Sequence, residues 1–435
     1  MAFTYVDYVP RMFLDALKSF PSNANIYADA KKRMAEQKKP WPADDKVPAE
    51  RLRGYGNALI DKITPMTEVA HPGDAALDLQ GQLVMPLLID GHMHLDKTLL
   101  GMPWTPHKAG PTIVSRIEEE RKAMPGLTLS TADRATHLIR AAAAHGTGAL
   151  RTHVDIAPQG ELHALEGVLQ ARQDNRAWAS IQVVAFPQSG VMRCPGVLDL
   201  LDSAVAAGAD LVGGIDPCEI DSDPAGQLNG IFSIANRRGV GVDIHLHEAG
   251  DLGLFSIREI CKRTRALGMN GRVTVSHGFC LGQVPEAKAR ASAELMAQAG
   301  VSLMTHGAAG QPLPPLALLR EHGVTTFVGS DNVRDFWSPY GTADILERAA
   351  LVGWRADWRR DEQMLDALDL VTGSAARATG LSFTTLEEGA PASFFAIPAR
   401  CVQEALATHV PRALVVREGQ ILARNGLACE RPEAL

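Results

Sequence analysis

From residue 86 onward, short apolar runs alternate with stretches of amphipathic, helix-like spacing. The runs "PLLIDGH", "GALRTHVD", "SIQVVAF", "DLVGGID", "GVDIHLH", "RVTVSHG", "VSLMTHG" and "TTFVGSD" are rich in Val, Ile and Leu and have the length of buried strands. Between them, "TADRATHLIRAAAAHG", "ELHALEGVLQARQD", "GVLDLLDSAVAAG" and "AELMAQAG" read as helices, several closed by Gly. Repeated βα units of this kind predict an α/β fold, a (β/α)8 TIM barrel over 86–379. The rival, a doubly wound open sheet, lacks its G-x-G-x-x-G.

The pattern changes near residue 380. "EEGAPASFFAIPARC" and "VPRALVVREGQILARNG" look like short strands with turns, and "ALDLQGQLVMP" (76–86) is a candidate partner from the other side of the barrel. Together they predict a small β domain from 61–85 and 380–435. Residues 1–60 fit neither pattern: "VPRMFLDALKSF" and "NIYADAKKRMAEQKK" have helical spacing and a polar, basic face, which predicts a helical N-terminal extension.

Charge and cysteine usage narrow the partners. A formal net charge of -7 argues against nucleic acid or an anionic membrane. The first twenty residues carry Asp7, Arg11, Asp15 and Lys18 and no sustained apolar core, so no signal peptide is expected. The six cysteines (Cys194, Cys218, Cys261, Cys280, Cys401, Cys429) contain no C-x-x-C pair and read as reduced thiols. These features point to a cytoplasmic protein with a small-molecule partner, and leave a homo-oligomer open.

The polar clusters sit where barrel enzymes place their chemistry, at the C-terminal ends of the strands. His92 and His94 follow strand one, two residues apart and therefore on one face. Strand two ends in Arg151, His153 and Asp155, strand three runs into Gln188, and strand five ends in His245, His247 and Glu248. Strands six, seven and eight bring His277, His306 and Asp331. A lone histidine of this set reads most simply as a hydrogen-bonded core residue. Seven on one rim (92, 94, 153, 245, 247, 277 and 306) are hard to explain as packing.

Three imidazoles and a carboxylate can bind one divalent metal with a position left for water, whose pKa falls to about 7 there. A carboxylic acid must then carry a proton to the leaving group, and Glu248 and Asp331 are the candidates. Spacing leaves His245 and His247 as alternatives on strand five. No lysine stands at a lumen position on strand three or four to bridge a second metal. A Walker loop, G-x-S-x-G, H-E-x-x-H and the H-x-E/P-C-x-x-C deaminase signature are all absent from the sequence.

The set H-x-H-L-D, "RTHVD", "VVAFPQ", H-x-x-E, "SH" and "SDN", in this order, resembles the amidohydrolase superfamily in its cytosine-deaminase-like branch, over roughly 76–427. "IQVVAFPQSG", "DLVGGIDP" and "SDNVRDFW" are most similar to its triazine-degrading amidohydrolases. The resemblance implies His92, His94, His245 and Asp331 as ligands of one Zn²⁺ or Fe²⁺. It implies Glu248 as proton shuttle, His277 as the group polarising the attacking oxygen, and Asp331 as catalytic as well as ligating. Gln188 and Trp337 are implied substrate contacts; Lys97 and His306 are further candidates, against a solvated or supporting role. The implied reaction is hydrolytic deamination of an amino-substituted nitrogen heterocycle. The alternative is hydrolysis of another C–N bond, in an N-alkyl triazine or a cyclic amide. Asn332 stands where cytosine deaminase carries a second acid, and His306 where it carries an amide, so a ring other than cytosine is expected.

Overall fold

The computed structural model describes residues 3–6, 51–53, 60–64, 76–108, 110, 112–382, 385–387 and 389–435. Before the barrel, β1 (Phe3–Val6) pairs in parallel with β3 (Ile60–Thr64), and β2 (Arg51–Arg53) pairs antiparallel with β4 (Ala76–Asp78). The helices expected over 9–20 and 25–39 lie outside the described residues. What is described of 1–60 is strand.

β5 (Leu83–Pro86) leaves this region for the edge of a five-stranded antiparallel sheet. All eight apolar runs then form strands, as their composition predicts: β6 (Leu88–Met93), β7 (Thr147–Asp155), β8 (Ser180–Phe186), β9 (Leu211–Ile215), β10 (Gly241–Leu246), β11 (Val273–His277), β12 (Val301–Thr305) and β13 (Thr326–Val328). They lie in sequence order in one parallel sheet. Between β13 and β6 the ring is joined by a parallel bridge from Met93 to Asp331, with the Asp331 N–H donating to the His92 carbonyl at 2.8 Å. That closure makes a (β/α)8 barrel and brings the last strand's carboxylate beside the first strand's histidines.

Helices surround the strands. α1 (Ile113–Ala123) belongs to the long insertion after β6; α2 (Thr131–Ala144), α3 (Gly250–Ala266) and α4 (Ile345–Arg355) are among those packed outside. Outward-facing strand residues such as Leu150, Val183 and Val275 bury against helix residues such as Leu138, Ile139 and Ile257, all 0% exposed. Burying a Leu or Ile side chain contributes about 1.5–3 kcal/mol.

The small sheet runs β17–β16–β15–β14–β5, with β14 (Phe394–Ile397), β15 (Leu414–Arg417), β16 (Gln420–Arg424) and β17 (Leu427–Ala434) supplied by the tail. Arg412, just before β15, forks onto the carboxylate of Asp344 at 2.6 and 2.7 Å, a buried pair tying this sheet to the start of α4. No helix among the described residues is long and apolar enough to cross a membrane.

Candidate metal centre and active site

The barrel strands end in a crowded group of imidazoles around one carboxylate. One ligand atom from each of His92, His245, His277 and Asp331 lies within 4.8 Å of the others. His94 joins them through Asp331: its Nε2 is 3.2 Å from Asp331 Oδ1, and His92 Nε2 is 3.6 Å from the same oxygen. His306 Nε2 approaches Asp331 Oδ2 at 3.4 Å. Burial opposes charge on Asp331, but His306, His92 and His94 around it hold its pKa well below the usual carboxylate range. It faces these imidazoles as an anion. Burial pushes His92, His245 and His277 down, the last two well below their ordinary value.

Among the described residues, His92 Nε2, both nitrogens of His245 and His277 Nε2 are buried and have no hydrogen-bond partner. Leaving such groups unsatisfied costs about 1–3 kcal/mol each, so an aligned set of them calls for a ligand. Nitrogen and carboxylate donors at this spacing fit a divalent metal. The opposite edges of the His92 and His94 rings are engaged. His94 Nδ1 donates to the His153 carbonyl at 3.2 Å; His92 Nδ1 meets Ser276 Oγ at 3.1 Å, and that hydroxyl donates to Asp243 at 2.6 Å. Holding Nδ1–H in this way turns Nε2 outward as a lone pair. Asp243 in turn accepts from Arg151 at 2.8 Å. A second grouping, His92, His153 and Asp243, therefore contains a carboxylate already committed to a guanidinium and a hydroxyl.

On strand five the structure separates the two histidines. His245 enters the cluster, stacked on Phe186 with ring centroids 4.0 Å apart. His247 lies beyond the strand, with Nδ1 2.7 Å from Asp216 Oδ2 and its ring stacked on His277 at 4.5 Å. Asp216 (φ 33°), His277 (φ 76°) and Asp331 (φ 60°) all have left-handed backbones at strand ends. Non-glycine residues in that region are strained by about 1–3 kcal/mol and concentrate at functional sites.

Glu248 is fully buried. Its Oε1 accepts from the backbone N–H groups of Cys218 (2.6 Å) and Glu219 (3.1 Å), and its Oε2 accepts from the Ser256 hydroxyl on α3. These bonds tie it to the loop after β9 and to α3, and none of them runs to the histidines. Burial raises its pKa, tempered by Ser256 and the two amides.

Gln188, Trp337 and Lys97 share a partner that the sequence pattern did not reveal. Glu120, on α1, accepts from Lys97 Nζ at 2.7 Å and Gln188 Nε2 at 3.4 Å through Oε1, and from the Trp337 indole N–H through Oε2. The sequence pattern likewise assigns no role to Asp216, Asp243 or Ser276. Asp216 carried a usable signal, since it ends the strand-four run "DLVGGID". Glu120 carried none, being one acid within "EEERK" on a helical stretch.

Comparison with known proteins agrees with this fold. The model of the amidohydrolase family matches residues 75–423. The crystal structure of N-isopropylammelide isopropylaminohydrolase from Burkholderia multivorans is similar at 42% identity, covering 88% of this chain and 96% of that one with a TM-score of 0.82. The 5-methylcytosine deaminase of Klebsiella pneumoniae follows the same fold at 25% identity and a TM-score of 0.75, covering 88% and 96%. N-isopropylammelide isopropyl amidohydrolase from Pseudomonas sp. strain ADP is 30% identical over 356 residues, 80% of this chain and 88% of its own length. The chain belongs to the amidohydrolase family and is a hydrolase of non-peptide C–N bonds.

Proposed function

We propose that this enzyme uses one divalent metal, Zn²⁺ or Fe²⁺, to replace an exocyclic amino group on a nitrogen heterocycle with oxygen. The observation that carries the reading is the set of unpartnered imidazole nitrogens around the Asp331 carboxylate. His92, His94, His245 and Asp331 would hold the ion, which when bound supplies a Lewis acid able to activate water at neutral pH.

The chain's own groups divide the remaining work. His277, its Nδ1 3.1 Å from His306 Nδ1 and its Nε2 buried without a partner, steadies developing negative charge on the attacking oxygen. Glu248, with a pKa raised by burial, carries the proton from nucleophile to departing nitrogen. Gln188 offers an amide that both donates and accepts, and Trp337 walls the ring.

A second reading differs only in the leaving group, an alkylamine in place of ammonia. The 42% identity to an N-isopropylammelide isopropylaminohydrolase favours it. Mass spectrometry of products from metal-loaded protein with aminopyrimidines, aminopterins, aminopurines and N-alkyl triazines separates the two. A gain of one mass unit with ammonia release supports the first reading, and release of an alkylamine supports the second. A gain of one water with all nitrogen retained would sink both in favour of ring opening.

A further inference from the structure

Three side chains offered as substrate contacts converge on a fourth that has no assigned role. Lys97 lies just past β6, Gln188 just past β8 and Trp337 in the loop after β13, and the donors of all three point at the Glu120 carboxylate. Glu120 is 5% exposed although α1 is otherwise polar, "IVSRIEEERKA", with Ile117 its only other buried residue. The next residue, Arg121, donates to the Ser189 hydroxyl beside Gln188, so α1 is pinned to the barrel mouth at two adjacent positions.

The charge balance there is informative. A lysine 1% exposed among the proposed substrate contacts would be a strong anchor for an anionic substrate if it stood alone. Here Glu120 neutralises it at 2.7 Å, and Asp96 and Asp155 lie near enough to favour its charge further. A wall with this balance offers an anion no uncompensated positive charge.

We propose that Glu120 determines specificity: paired with Lys97, it makes the wall select an uncharged heterocycle over an anionic one, and it positions the Trp337 indole against that ring. The inference rests on the heterocycle reading above and adds a charge class to it. Glu120 acts through Lys97 and Trp337 and is a positioning residue.

The test uses the metal-loaded full chain as wild type, Glu120→Gln and the double variant Lys97→Met/Glu120→Gln. The probes are uracil and orotate, one ring without and with a carboxylate, with binding measured by calorimetry at pH 7. The Trp337 indole N–H resonance, assigned by Trp337→Phe, is followed in ¹⁵N-tryptophan-labelled protein. Wild type is expected to prefer uracil. Glu120→Gln is expected to shift the ratio toward orotate by about tenfold or more, the effect of removing one negative charge from the wall, and the double variant to bring it back. The indole resonance is expected to move in Glu120→Gln. An unchanged ratio, within about twofold, with both rings still binding overturns the inference and leaves the heterocycle reading standing. A moved resonance with neither ring bound by any variant overturns the specificity claim and places the fault in that reading. Should Glu120→Gln fail to fold, Lys97→Met, which leaves the Glu120 carboxylate without its lysine, is expected to shift the ratio further toward uracil, and an unchanged ratio overturns the claim.

Discussion

Gly329 carries no chemistry, yet it sets the position of the first candidate ligand. A Cβ there would stand 2.5 Å from His92 Cβ and 2.6 Å from its backbone N and O, so the β6 backbone would have to move. Gly329→Ala is expected to weaken metal retention by about 10–100-fold, the usual range for residues that orient ligands. Metal analysis after dialysis, with circular dichroism as the folding control, checks this; full retention would show that the ligands reach the metal without that close approach. For Glu248, Glu248→Gln is expected to lower kcat at least ~100-fold with metal content unchanged. Turnover near wild type would remove Glu248 from the mechanism. Its contacts with Cys218, Glu219 and Ser256 would then be purely structural.

The barrel and the small sheet share apolar packing, with Phe395, Ile397 and Val415 in the barrel's own buried cluster, and one polar contact is added to it. Arg412 is 1% exposed, forks onto Asp344 and lies over the Phe395 ring at 5.2 Å. Asp344 also caps α4, accepting from the Leu346 N–H at 3.0 Å. Arg412→Met leaves that buried carboxylate without its counter-ion, a loss of about 3–5 kcal/mol. Thermal unfolding of the variant should show a lowered midpoint, partly recovered by Arg412→Lys, which restores the charge without the bidentate fork. A midpoint equal to wild type would mean that the sheet-to-barrel joint is carried by apolar packing alone. α1 is the other element whose placement depends on a few contacts, since Glu120 and Arg121 supply anchors that its polar surface does not.

Across the whole molecule, a half-buried histidine links stability to pH. His145, at the C-terminal end of α2, is pushed below its ordinary value of 6.5 by burial, with Asp344 opposing that shift and Arg412 adding to it. The folded state then binds its proton less readily than the unfolded chain. This contribution to stability is fully present above about pH 6.5 and is lost as the pH falls through the depressed value. His145→Gln should therefore show a smaller fall in thermal midpoint between about pH 7 and pH 5 than wild type. Parallel curves would assign the acid sensitivity to other groups.

The eight strands, the end of each that bears chemistry, and the rim of histidines were legible along the chain because those signals are local. A strand's apolar run and its period of two are written in consecutive residues, and a (β/α)8 barrel places its chemistry at one end of every strand. The family resemblance added His245 over His247, a choice that spacing alone left open. Only the tertiary structure gathered His92, His245, His277 and Asp331 within reach of one ion, because that depends on the ring closing between Met93 and Asp331. It alone supplied Glu120 to Lys97, and Asp216 to His247, across separations of 23 and 31 residues. Contacts between strand ends and a distant helix or loop are set by how the barrel's layers pack, and no local periodicity encodes them.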